Sequence, residues 1–321
     1  MRGFLIVVFA LGGVVVGQDL VQGWTLRVGT GSLSGVYFPV GEAAAGIIGD
    51  ADPTLQITVV ATDGSVHNVE AIREGEFARS DSLDLALAQS DVVYQAYQGR
   101  EVFEGRAIAG LRSLMGLHPE PVHLLCNAAV GVASFREIAG KRVSIGHPGS
   151  GNLHTVRVML EAFGMGEADF SPALLDPARA YDSLRAGQLD CLFSTVGIGS
   201  TAIRELAGSG DVVLVELAEP ELDALIRAKP YYAYATLPAG SYPGQTEELS
   251  LFGVKALLVA STELTEPTAY TIVQAILANL DRFLNSHPAL AGLSREDLLE
   301  GLGAPLHPGA ARAYREAGLL E

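Results

Sequence analysis

Residues 26–49 read LRVGTGSLSGVYFPVGEAAAGIIG. Leu26 to Val28 predict a buried strand, Gly29 to Gly35 a loop of Gly and Ser, and the rest a helix with Pro39 in its opening turn, where a missing N–H costs no helical bond. Such a loop leaves backbone N–H groups and small hydroxyls facing whatever lies beyond the carboxyl end of the strand. The positive end of the helix dipole favours a negative group there. Ser34, Gly35 and Tyr37 are the residues it presents, although Tyr37, beside Phe38, also fits a core aromatic. One Gly-rich turn is weak evidence, but the design returns four more times.

In the second unit a strand from Gln56 to Ala61 ends in Thr62-Asp63-Gly64-Ser65, and Val69 and Ile72 face the core of the helix that follows. Ser65 fits either a cap or a ligand hydroxyl, with Asn68 one turn on. The third unit runs from Leu83 to Ala88 and delivers Gln89, Ser90 and Asp91; Asp91 also fits an acid favoured in a first helical turn. Gly99 to Pro121 reads as a connection and Val122 to Cys126 as a strand. In the fourth unit Ser134 caps a short helix, Arg142 to Ile145 is a strand, and the loop Gly146 to Gly151 brings Ser150, Gly151, Asn152 and Thr155. Ser150 again fits both a cap and a ligand group. The fifth, Cys191 to Ser194, leads into Thr195, Val196 and Gly197. A strand from Val212 to Glu216, a Tyr- and Pro-rich stretch, a strand from Val254 to Ala260, a long helix from Glu266 to Asn285 and a helix begun by Pro308 complete the chain.

Strands that end in small polar residues before helices imply doubly wound α/β sheets, which collect ligands outside the carboxyl ends of their strands. Three units precede Cys126 and two follow it, so two α/β lobes are expected to face each other across a cleft. The expected division is residues 24–126 with 261–321 in one lobe and 127–260 in the other, with crossings near Asn127 and Ala260.

Residues 1–17 show a basic start at Arg2, an apolar run from Phe4 to Val16 and small residues before Gln18, the order of a secretory signal peptide cleaved near Gly17. The run is shorter than the ~20 residues of a spanning helix. The chain has 321 residues, 21 basic against 37 acidic, for a net charge of -16 with no basic patch, which argues against nucleic acid as a partner. Cys126 and Cys191 lie in apolar strand-like runs; they fit a disulfide in an oxidising compartment, or inert buried thiols. The seven histidines show no HxxxH or HExxH spacing, so no metal site is expected, and no cofactor is called for.

An enzyme is the main rival. GTGSLSG is one residue longer than GxGxxG, and Asp63 ends the next strand as a ribose-binding acid would, so a nicotinamide-dependent oxidoreductase using Gly29 to Gly35 is the alternative. It explains one of five similar loops. There is no GxSxG elbow, no GxxxxGK[ST] loop, and no exposed repeat that suggests a scaffold.

From Leu26 to Leu320 the chain resembles the TAXI family, the solute receptors of tripartite ATP-independent periplasmic (TRAP) transporters. The resemblance rests on GTGSLSGVYFPVG, DGSVHNVEAI, LALAQSDVVYQAY, IAGKRVSIGHPGSG, LDCLFSTVGIGSTAI, LPAGSY and above all LHPGAARAYREAG, in this order. It implies a two-lobed fold like that of periplasmic binding proteins, each lobe a β-sheet flanked by helices, with the ligand cleft between them. It also implies a periplasmic, non-enzymatic receptor for a small solute, glutamate-like or dicarboxylate, working with integral membrane TRAP permease subunits. Asn152-Leu153-His154 stands where the family commonly has Thr-Glu after Gly-Ser-Gly, and Ser32-Leu33-Ser34 replaces a more Gly-rich loop. Both departures fall on the expected cleft, where they bear on which solute is bound.

Overall fold

The computed structural model describes residues 24–72 and 82–321. The expected signal peptide lies outside these residues. The chain is a mixed α/β fold whose central sheet is flanked by helices. Its first part is β1 (Trp24–Gly29), α1 (Tyr37–Ala51), β2 (Leu55–Val60), α2 (Ser65–Ala71), β3 (Leu85–Gln89), α3 (Ser90–Gln98) and β4 (Leu111–Asn127). Then come β5 (Arg142–Ser144), α4 (Gly151–Ala162), β6 (Ser171–Ala173), α5 (Pro177–Arg185), β7 (Cys191–Thr195), α6 (Thr201–Ala207) and β8 (Val212–Val215). The chain ends with α7 (Pro220–Ala228), β9 (Ala233–Leu237), β10 (Leu249–Ser261), α8 (Glu266–Ala278), α9 (Leu280–Leu284) and α10 (Pro308–Glu316).

The strands are ordered β2-β1-β3-β10-β4-β7-β5-β6, with β8 on β4 and β9 on β10. β1 pairs in parallel with β2 and β3, and β5 in parallel with β6 and β7. Each set of three therefore has its first strand in the middle, flanked by its second and third. Between the sets run two antiparallel strands that change partner along their length. β4 pairs with β10 from Leu111 to Pro121 and with β7 from Val122 to Cys126. β10 pairs with β9 up to Gly253 and with β4 from there on. At the change the two backbones lie so close that a Cβ on Gly253 would stand 2.9 Å from the Glu120 carbonyl oxygen.

The connection expected over Gly99 to Pro121 is thus in large part strand. Pro119 and Pro121 argue against a central strand because they lack a ladder N–H. Both fall at the change of partner, beside a register shift between Lys255 and Leu257 where the ladder is already irregular. The long helix expected over Glu266 to Asn285 breaks at Asn279, whose side-chain amide donates to the Ala275 carbonyl at 2.9 Å.

A sixth strand-to-helix unit, β6 into α5, also belongs to the second set. β6 is three residues long and exposed at its first two positions, so it carries no buried run to read.

Cys126 and Cys191, both fully buried, are directly opposite in the β4–β7 ladder with Cα atoms 4.0 Å apart, and they form a disulfide.

Candidate functional site

In a sheet ordered second-first-third, loops leaving the carboxyl ends of the first and third strands diverge and open a crevice. Here two such crevices meet. The loops after β1, β2 and β3 face those after β5, β6 and β7 across a cleft of about 110 Å³, against the ~10–15 Å³ that one water needs on the same measure.

Its floor is Glu120, on β4 one residue before the change of partner. The side chain is 3% exposed, and Oε2 accepts a 2.6 Å hydrogen bond from the Tyr37 hydroxyl. Oε1 faces His118 Nε2 at 4.0 Å, beyond hydrogen-bond reach. Burial pushes the Glu120 carboxyl up to about 8; the Tyr37 hydrogen bond works against this and the charge of Asp91 adds to it. Burial, and then the neighbouring His287, push His118 down to about 3, so it faces Glu120 as a neutral ring.

On the first wall the Ser65 hydroxyl accepts from the Gln89 N–H at 3.1 Å, and the Gln89 side-chain nitrogen is buried with no hydrogen-bond partner among the described residues. Ser34 and Gly35 line the same wall, with Ser32 and Ser34 hydroxyls 3.2 Å apart. Asn68 does not reach the cleft. Fully buried behind it, Asn68 donates to the carbonyls of Thr30 and Leu87 and accepts from the Thr62 hydroxyl, locking the three loops together. Ser90 is likewise absent from the lining; it bonds to the Tyr231 carbonyl and the Lys255 N–H.

On the opposite wall Ser150, Gly151, Asn152, Thr195 and Val196 line the cleft. Ser150 is the cap of α4: its Oγ accepts from the Leu153 N–H at 3.2 Å and donates to the His147 carbonyl at 2.7 Å. Gly151 is forced, because a Cβ there would overlap the Gln89 side chain. Asn152 donates to the Phe193 carbonyl and accepts from both the N–H and the hydroxyl of Thr195, so it pins the end of β7. Asp91, Thr155 and Gly197 stand outside the lining. Thr155 bonds to Asp91, and Gly197 packs so closely on His118 that a Cβ would come within 2.6 Å of the ring.

Ten of the fifteen residues anticipated from sequence therefore converge on one cleft, and five support it from behind. Glu120, Tyr181, Pro177 and Ser194 also line it, unanticipated. Pro177 and Tyr181 belong to the unread sixth unit. Glu120 carries a sequence signal: a carboxylate between two prolines in an otherwise apolar stretch needs a reason to be buried.

Among the described residues no Lys or Arg lines the cleft, while Asp63 and Glu120 do. Donors come instead from neutral groups. The N–H groups of Tyr37 and Phe38 and those of Gly151 and Asn152 lie in first helical turns, where they have no intrahelical partner.

The fold is shared with proteins of known structure, two of which are described as periplasmic. The periplasmic binding protein BugD superposes with a TM-score of 0.54 at 13% identity, covering 92% of this chain and 94% of that one. A protein of Bordetella bronchiseptica RB50 gives 0.54 at 16% identity, covering 92% and 89%. A putative periplasmic sulfonate-binding protein, SsuA of Methylobacillus flagellatus KT, gives 0.51 at 12% identity, covering 93% and 96%. At such identities the likeness concerns the fold. The sequence match is wider in meaning: residues 28–318 fit the NMT1-like family, a span that takes in every strand and helix of the cleft walls except the first four residues of β1, and the chain therefore belongs to the NMT1-like family.

Proposed function

We propose that the chain is the extracytoplasmic receptor of a TRAP-type transporter of the TAXI kind. It takes up a small anionic or zwitterionic solute, glutamate-like or dicarboxylate, in the cleft and delivers it to a membrane permease. The observation that carries this reading is the convergence of six strand-to-helix loops from two parallel sets on one crevice, furnished with neutral donors. A receptor needs complementary, exchangeable hydrogen bonds, and the helix starts and side chains of the two walls supply them. The lobes divide, on this reading, at Pro121 in β4 and Gly253 in β10, where the strands change partner, somewhat before the crossings expected near Asn127 and Ala260, and they rotate about these two crossings. BugD and the sulfonate-binding protein are described as periplasmic, which supports a periplasmic location for a chain of the same fold.

A melting experiment with L-glutamate, succinate, malate and a nicotinamide dinucleotide tests the proposal. A solute present at ~100 times its Kd adds ~2.7 kcal/mol, enough to raise the Tm by several degrees. A rise with an acidic solute is expected. A rise with the dinucleotide alone would overturn the receptor reading.

A further inference from the structure

We infer that Glu120 meets the solute as a neutral carboxylic acid, so that an anion enters the cleft together with a proton held on this side chain. The inference rests on the receptor reading and adds the state of the group at the cleft floor.

The geometry leaves a carboxylate at this position poorly compensated. Glu120 has one close donor, the Tyr37 hydroxyl from α1. From its own strand it faces His118, fully buried, with both ring nitrogens lacking hydrogen-bond partners among the described residues and with His287 near it. From α3 it faces Asp91, a second acid. Among the described residues the titratable groups around the rest of the cleft are Asp63, His147 and Tyr181, and no Lys or Arg lines it. A buried charge with one neutral donor and an acidic neighbour is costly, and such a group keeps its proton instead. Burial indeed pushes this carboxyl up to about 8.

The remaining wall favours an acceptor as solute. Among the described residues the buried side-chain nitrogen of Gln89 has no hydrogen-bond partner, and Gln89 lines the cleft beside the first turns of α1 and α4. An ionised Glu120 would repel the anion that these donors attract, whereas the protonated acid contributes a further O–H donor. Glu120 is thus a specificity-determining residue: its proton fixes the sign of charge that the floor accepts.

Calorimetry on the full chain with L-glutamate and with succinate, at about pH 8.5 in two buffers of different ionisation enthalpy, tests this. Binding should take up roughly 0.5–1 proton, and affinity should fall by up to ~10-fold per pH unit above about 8. Glu120→Gln should abolish both the uptake and the alkaline fall, at the cost of some affinity. Tyr37→Phe, which removes the hydrogen bond favouring the ionised form, should move the fall to higher pH, and it serves if the first variant does not fold. Binding without uptake, or uptake unchanged in Glu120→Gln, would overturn the inference and leave the receptor reading standing. If neither acid binds at millimolar concentration, the reading as a receptor for acidic solutes fails, and the inference with it.

Discussion

The hydroxyl of Thr155 donates a 2.9 Å hydrogen bond to Asp91 Oδ2, joining the second turn of α4 in one parallel set to the first turn of α3 in the other. Tyr232 reaches the same oxygen at 3.2 Å, and Oδ1 accepts from the Val92 N–H at 2.8 Å. Asp91 is fully buried, so its carboxyl oxygens are satisfied by these bonds rather than by water. The N–H groups of Val66 and His67 add a second tie, both donating to the Gly149 carbonyl at 3.1 Å.

Thr155→Val keeps the shape of the side chain and removes one bond to the buried Asp91 carboxyl, leaving an acceptor short of a partner at a cost of ~1–3 kcal/mol. The expected result is a lower denaturant midpoint and, by small-angle scattering, a larger radius of gyration without solute, as the two sets part. An unchanged radius and midpoint would show that this contact does not hold them together.

Ser150→Ala separates a cap from a ligand hydroxyl. Both the donor and the acceptor function of Ser150 are engaged within its own turn, so the loss should appear as ~1 kcal/mol of stability. Affinity for an acidic solute should change by less than about threefold, under ~0.7 kcal/mol. A tenfold loss of affinity at unchanged melting temperature would return Ser150 to the list of ligand groups.

The contrast between Ser150 and Gln89 shows how far a sequence can be read. Both stand where a strand gives way to a helix, and both reach the cleft. Position along the chain finds such residues because ligands collect at the carboxyl ends of parallel strands. It does not tell which hydroxyl is already consumed by a helix start and which amide is left without a partner. Asn68 and Asp91 illustrate the same limit: polar groups needed to lock loops together occupy the same places as polar groups that face a solute. Glu120 escaped for a different reason. Its strand contains two prolines, tolerated only because β4 exchanges β10 for β7 at that point, a tertiary relationship with no local signature. The closing His307-Pro308 was legible because its reason is local: the His307 ring caps α10, accepting from the Gly309 N–H, and Pro308 fills the first helical position.

Removal of the disulfide should be costly. Cys126 and Cys191 are 65 residues apart, and closing a loop of that length restricts the unfolded chain by ~4 kcal/mol in the chain-entropy account. The double variant Cys126→Ala with Cys191→Ala is expected to lose ~2–4 kcal/mol in urea unfolding. Since the bond lies at the far end of β4, away from Glu120, solute affinity should be retained. Equal stability of the variant and the oxidised protein would show that the bond adds nothing to folding.

The pH dependence of stability follows from groups on β4. Glu120 has an ordinary value of 4.5 and a folded value of about 8. It keeps a proton that the unfolded chain gives up, so its contribution is whole below 4.5 and is lost as the pH rises through about 8. His118 and His123 behave oppositely. Burial pushes them from 6.5 down to about 3 and about 4, so the unfolded chain takes up protons first, and stability is lost as the pH falls below 6.5. Between 4.5 and 6.5 the two histidines outweigh the one carboxyl, and above 6.5 only the carboxyl of these three acts. Stability should therefore peak near pH 6.5 and fall by ~1.4 kcal/mol per pH unit toward 8, or ~2 kcal/mol over that flank. Glu120→Gln removes the group responsible, so urea unfolding of the variant should show a flat alkaline flank and, between 4.5 and 6.5, an acid flank about twice as steep as that of the wild type, ~2.7 against ~1.4 kcal/mol per pH unit. An alkaline fall of the same slope in the variant would place its origin elsewhere than the cleft floor.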